Sequence, residues 1–167
     1  MWEAAIKSTF DKEALRKKYA EERDKRIRAD GNDQYIEIKD QWDHYLEDPY
    51  VEKQDREPVT DHVTVAFIGG GFSGLVTGAR CVENGVTDVR IIEKGGDFGG
   101  TWYWNRYPGL RCDVESMTYS YSFSDEIQLE WTWSERYAPQ AEILSYINYV
   151  VDKLDLRQDM KFETRVI

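Results

Sequence analysis

VTVAFIGGGFSGLVTGARCVENGVTDVRIIE, residues Val63 to Glu93, decides the fold of this chain. Its first six residues, Val63 to Ile68, form a short apolar run rich in β-branched side chains and flanked by polar ones, the mark of a buried strand. The run meets Gly69, Gly71 and Gly74, and a helical pattern follows in which Leu75, Ala79 and Val82 are spaced to share one face. Asn84-Gly85 closes that helix, because glycine takes the left-handed conformation at a helix C-terminus. A second strand, Val89 to Ile92, ends on Glu93. Strand, glycines, helix, strand and terminal acid stand in the order of a βαβ dinucleotide fingerprint.

Each residue type has a physical task. Gly69 allows the tight exit from the strand, Gly71 leaves room for a pyrophosphate against bare backbone, and Gly74 lets the helix pack near the strand. Gly78 extends that close approach. The first-turn amides of the helix and its dipole favour the phosphates. Glu93 is placed to accept hydrogen bonds from ribose hydroxyls and would repel a 2′-phosphate, so the site favours FAD or NAD over NADP.

Working outward, the 167 residues suffice for a domain with a real core, and they include six Trp and eleven Tyr, a density that points to a shaped aromatic site or interface. The net charge of −10 argues against non-specific nucleic-acid binding. No apolar run reaches membrane-span length and no signal-peptide pattern is visible, so a cytoplasmic setting is expected. Cys81 and Cys112 make no disulfide framework, and neither His44 nor His62 has metal-spaced partners. The fold class expected is α/β: a partial, truncated Rossmann-like domain over residues 62–167, preceded by a charged helical extension over residues 1–61.

In that extension a helix is expected from an N-cap at Ser8 to about Ala29, ended by Gly31. The pairs Glu21–Lys25 and Glu22–Arg26 would support it, over a thin apolar face of Ala4, Ala5, Leu15, Tyr19 and Ile27. Gln34 to Tyr50 suggests a second short helix and a turn at Asp48-Pro49. Residues 54–61 read as a linker. The extension reads as an arm that wraps the core, missing domains or another subunit.

Beyond Glu93, Lys94 to Ser116 is the second informative stretch. Gly95, Gly96, Gly99 and Gly100 let backbone approach a ligand, and Thr101, Trp102, Tyr103 and Trp104 bring a hydroxyl and three flat rings. Tyr107-Pro108-Gly109 is a turn. Asp113 near Arg111 suggests a structural ion pair, or an acid that orients a cofactor or a distant cation. Cys112 reads as an inert thiol. The aromatic stretches Tyr119–Phe123 and Glu130–Tyr137 read as irregular segments over a cleft. Pro139 starts an amphipathic helix burying Ile143, Ile147, Val150, Val151 and Leu154, and a final strand spans Lys161 to Ile167. With so few strands, the chain reads as the N-terminal part of a longer protein or a truncated product.

From Gly99 to Ser116 the sequence GGTWYWNRYPGLRCDVES resembles the type I Baeyer–Villiger monooxygenases. GGGFSG upstream and WTWSERYAPQAEILSYINYV downstream extend the likeness from about Val63 to Ile167. LRKKYAEERDKRIRADGNDQY resembles the N-terminal arms of one subgroup. The resemblance implies FAD with its pyrophosphate over Gly69, Gly71, Phe72, Ser73 and Gly74 and its ribose on Glu93. Gly100, Thr101, Trp102, Tyr103 and Trp104 would run beside the flavin, with contacts from Asp113 and Tyr119 and a backbone contact from Val166 on the adenine side. Arg111, Cys112 and Asp113 would face the nicotinamide of NADPH, and Asp113 would pair with a catalytic arginine that lies outside this sequence. Most of the NADPH site would lie outside it too. The family uses NADPH and O2 to turn ketones or aldehydes into esters or lactones through a C4a-peroxyflavin. By itself the chain is expected to bind FAD weakly, if at all, and not to turn over. The alternatives are a segment of an N-hydroxylating or heteroatom-oxidising flavin monooxygenase, and a non-catalytic remnant; the WYWNRYPG loop disfavours a plain NAD-dependent dehydrogenase.

Overall fold

A computed structural model of the chain describes residues 10–166. The chain divides into two compact units between Leu46 and Glu47. In the first, helix α1 spans Lys12–Asp24, and the Asp11 side chain accepts from the amides of Glu13 (2.9 Å) and Ala14 (3.2 Å) at its N-terminus. No residue of α1 is buried. Its support is local: Arg16 pairs with Glu13 at 2.7 Å and Lys25 with Glu22 at 2.6 Å. The expected continuation to Ala29 does not form. After Asp24 the backbone tightens, with the Arg26 amide bonded to the Arg23 carbonyl at 2.9 Å. The pairs expected between Glu21 and Lys25 and between Glu22 and Arg26 therefore do not support the helix; Lys17 lies 3.8 Å from Glu21 instead. Gly31 opens a 3₁₀ turn, Gly31–Gln34, rather than ending α1. Ser8, Ala4 and Ala5 lie outside the described residues. A second 3₁₀ segment, Asp40–Leu46, stands where a short helix was expected.

The second unit holds the sheet. Strand β1 (Val65–Ile68), helix α2 (Phe72–Glu83) and strand β2 (Val89–Ile92) form the βαβ unit, with Val65 opposite Val89 and Ile68 opposite Ile92 in parallel register. β1 starts later than the apolar run because Thr64 is held by side chain instead: its amide and hydroxyl both donate to Asp88. On α2, Leu75 and Ala79 are buried as expected, but Val82 is exposed. Helix α3 is the single turn Thr101–Trp104, and helix α4, Asp125–Glu130, interrupts the aromatic stretches that read as irregular. A capping Ser124, accepting from the Ile127 amide, explains α4.

Helix α5 spans Gln140–Lys153 behind Pro139 and buries Ile143, Tyr146, Ile147, Val150 and Val151. Tyr146 takes the place expected of Leu154, which sits at the C-cap. The predicted final strand contracts to β3, Met160–Lys161, parallel to β2 in the sheet order β1-β2-β3. Beyond Lys161 the chain turns at Glu163 (φ 48°) yet stays bonded to the segment after β2, with Thr164 N–H donating to the Glu93 carbonyl (2.9 Å) and Glu163 N–H to that of Gly95 (3.0 Å). Leu75, Ile91, Phe98, Ile143, Ile147, Val151 and Leu156 pack into the core between sheet and α5. Among the described residues no helix is long and apolar enough to cross a membrane.

Candidate functional site

A crevice of about 410 Å³ opens at the carboxyl end of β1. That is the place where open parallel sheets hold ligands. One wall is the turn from β1 into α2, with Gly69, Gly71, Phe72, Ser73 and Gly74; the other is Gly99 to Trp102. The two walls meet through backbone at the glycines. Gly99 N–H donates to the Gly70 carbonyl at 3.0 Å, and a Cβ on Gly100 would stand 3.0 Å from the Gly71 Cα.

The glycines do different work. Gly69 leaves β1 at φ 108°, a conformation that side-chain-bearing residues rarely adopt. Gly74 is required by packing: an added Cβ would lie 2.0 Å from the Gly69 carbonyl oxygen. Gly78 performs the same service against Ile91, at 2.8 Å. Gly71 has ordinary dihedrals, and a Cβ there would make only a van der Waals contact at 3.5 Å with Gly100. What a Cβ at Gly71 would fill is the crevice. Gly71 is also the N-cap of α2 and brings no side-chain acceptor, so the cap residue itself leaves the first-turn amides unbonded.

Glu93 is buried at the end of β2, and its carboxylate accepts from Gly70 N–H (2.6 Å) and Gly95 N–H (2.7 Å). One bond to each oxygen fixes the group beside the glycine turn and leaves further lone pairs to accept donors. Trp102 is buried on the second wall, its ring edge-on to Tyr119 at 5.5 Å, and Tyr119 meets Phe72 edge-on at 5.4 Å. An aromatic chain thus ties the two walls together from beneath. Burial first, then the nearby Cys112 and Asp113, hold the Tyr119 hydroxyl above its usual range.

The remaining candidates divide. Thr101 is exposed on the crevice wall. Tyr103 and Trp104 turn away from it: the Tyr103 hydroxyl reaches Asp48 at 2.6 Å, and Trp104 carries the Lys94 ammonium over its ring at 4.6 Å. Asp113 is exposed, and Cys112 is buried with its Sγ 4.0 Å from the Ser116 hydroxyl. The expected Arg111–Asp113 ion pair is absent. Arg111 pairs with Glu135 and donates to the Tyr137 carbonyl, because residues 110–116 run antiparallel to residues 136–140 and carry Arg111 toward that strand-like segment. Val166 lines a separate cleft with Arg56, Ala66 and Arg90, not the glycine crevice.

Reading the sequence missed several residues that build the walls. Buried Ser116 accepts from Ala138 N–H and donates to the Glu135 carbonyl, both at 2.8 Å. Gln140 donates to the Trp102 carbonyl. Asp48 and Tyr50 grip the second wall from before β1. Only Asp48-Pro49 carried a signal, as a turn.

A model of the NAD(P)-binding Rossmann-like domain matches residues 68–130. The chain is 46 % identical over 153 residues to a Baeyer–Villiger monooxygenase of Streptomyces coelicolor, covering 91 % of this chain and 25 % of that protein. It is 45 % identical to a neopentalenolactone D synthase of Streptomyces avermitilis, over 93 % of the chain and 26 % of the relative. Among solved structures, a steroid monooxygenase bound to NADP superposes with a TM-score of 0.61 at 53 % identity, over 62 % of this chain and 20 % of that one. A cyclohexanone monooxygenase from Rhodococcus sp. Phi1 superposes with a TM-score of 0.58 at 40 % identity, over 60 % and 19 %. The chain spans about a quarter of the length of the curated relatives it matches. By sequence and by structure it resembles one stretch of the Baeyer–Villiger monooxygenases.

Proposed function

We propose that this chain is the FAD-binding segment of a flavin monooxygenase that uses NADPH and O2 to convert ketones or aldehydes into esters or lactones. The observation that carries the reading is the crevice between Gly71 and Gly100, bounded by bare backbone at the N-terminus of α2 and flanked by a fixed, buried carboxylate. The residues fit the cofactor. A pyrophosphate meets the first-turn amides of Phe72, Ser73 and Gly74, which the Gly71 N-cap leaves without a side-chain partner. Glu93, already oriented by Gly70 and Gly95, accepts the hydroxyls of the adjoining ribose. The same charge disfavours a 2′-phosphate, so the crevice suits FAD, the cofactor of this reading, better than NADPH.

Bound FAD would supply the redox chemistry between NADPH and O2. The chain's own part is to bind and orient. Phe72 and Trp102 give the crevice aromatic lining, and Tyr119 packs edge-on against both. Asp113, exposed near Tyr119, would supply a carboxylate to orient a cationic group beside the bound cofactor. A cytoplasmic setting and small-molecule carbonyl substrates belong to the same reading.

Titration of the 167-residue chain with FAD and with ADP, followed by protein fluorescence, tests it. Weak saturable binding is expected, with 2′-phosphorylated ADP binding at least about tenfold less well because of Glu93. Gly71→Ala should abolish binding while leaving the far-ultraviolet circular dichroism unchanged. Equal binding by Gly71→Ala would overturn the assignment.

A further inference from the structure

The second wall of the crevice does not hold itself. Gly95 to Arg106 is mostly irregular, and much of what fixes it comes from residues that precede β1. Asp48 Oδ2 accepts from Gly96 N–H at 2.8 Å and from the Tyr103 hydroxyl at 2.6 Å, while its Oδ1 accepts from Tyr50 N–H at 2.8 Å. Tyr50 donates its hydroxyl to the Trp104 carbonyl at 3.0 Å, stands edge-on to Tyr103 at 5.5 Å and stacks under the Arg106 guanidinium at 3.5 Å. Val51 closes the contact; a Cβ on Gly96 would lie 2.5 Å from it. Five residues on, the Arg56 guanidinium donates to the carbonyls of Phe162 (2.8 Å) and Glu163 (3.1 Å), the segment that follows β3 and bonds to Glu93 and Gly95.

We propose that residues 48–56 are a brace that positions the Gly99–Trp102 wall of the crevice through the loop Gly95–Phe98 that leads into it, with Asp48 as its positioning residue. The inference rests on the reading of the crevice as a dinucleotide site and adds to it a determinant outside the βαβ unit. The logic is geometric. Tyr103 follows directly on Trp102 in the single turn of α3, so a bond on its hydroxyl fixes that turn. Gly96 follows Gly95, whose amide holds Glu93, so a bond on the Gly96 amide fixes the loop that orients the carboxylate. One aspartate therefore couples the ribose carboxylate and the wall facing Gly71. It does so from a position that no glycine motif marks.

Backbone hydrogen exchange on the full 167-residue chain, compared with Asp48→Ala and with Tyr103→Phe, tests the brace without any ligand. The expected result is exchange about tenfold or more faster at Gly95 to Trp104 in Asp48→Ala, a smaller rise in Tyr103→Phe, and unchanged exchange in α5. ADP affinity should fall about tenfold in Asp48→Ala, a loss that a fold-wide weakening without loop release does not produce. Unchanged exchange at Gly95 to Gly100 overturns the proposal, as does an equal rise through α5. If the unmodified chain shows no nucleotide binding, the crevice assignment fails, while the exchange comparison still decides the brace.

Discussion

The two walls of the crevice are built by opposite means. The first, Gly69 to Gly74, is specified within a few residues: a strand delivers the chain, four glycines remove the side chains that would obstruct it, and the helix begins. The second, Gly99 to Trp102 with the loop Gly95 to Phe98 that leads into it, contains as many glycines but depends on distant groups: Asp48 on Gly96, Gln140 on the Trp102 carbonyl, and Arg157 on Asp97 at 2.9 Å. Glycine is permissive, and permissiveness defines a conformation only when something else removes the alternatives. In the first wall strand and helix do so. In the second, tertiary hydrogen bonds do.

The sharpest way to break this contrast is Gly74→Ala. Its Cβ would meet backbone that cannot move without parting α2 from β1, so a loss of about 3 kcal/mol is expected in urea unfolding. A loss below about 0.5 kcal/mol would show that the first wall is looser than described. Tyr103→Phe addresses the second wall, where a buried hydroxyl gives up its bond to a carboxylate; about 1.5–3 kcal/mol is expected, again by urea unfolding.

The pH dependence sharpens the same point. Burial raises the Asp48 carboxyl, but the bonds from Tyr103, Tyr50 and Gly96, with Arg106 nearby, outweigh it and hold the group below its usual range. A carboxyl depressed on folding stabilises fully above its unfolded value near pH 4 (~3.9), and that contribution disappears as pH falls through the lower folded value. Tyr103 runs the other way: burial and Asp48 raise its pKa, so its contribution is present below about pH 10 and lost as pH rises through the raised folded value. Stability measured against pH should therefore fall less steeply at the acid end in Asp48→Ala than in the parent chain. Identical acid limbs would remove Asp48 from the brace.

A smaller effect is expected from Asp11→Ala, which deletes a side-chain cap from a helix with no buried residue; helicity of α1 should fall by about 1 kcal/mol of local stability, with the second unit's unfolding unchanged. Smallest of all is Gly71→Ala on stability, within about 0.5 kcal/mol, because the position has ordinary dihedrals and an open side. Beside Gly74→Ala, that pair separates a glycine kept for packing from one kept for a ligand.

The sequence by itself determined the βαβ unit, down to β2 at Val89–Ile92 and the acid that follows it. Strand periodicity, helix spacing and the glycine triplet are local signals that agree with one another, so little else could compete. It also determined α5, whose apolar face is written at helical spacing behind Pro139. Only the tertiary structure decided which carboxylate Arg111 meets, because Asp113 is near in sequence and Glu135 is near across an antiparallel pairing that no local pattern announces. The same holds for the shortening of β3 and for Asp48. Each depends on hydrogen bonds between segments brought together by the packed core, and the energy of such bonds is settled by where the backbone arrives, not by the residues on either side.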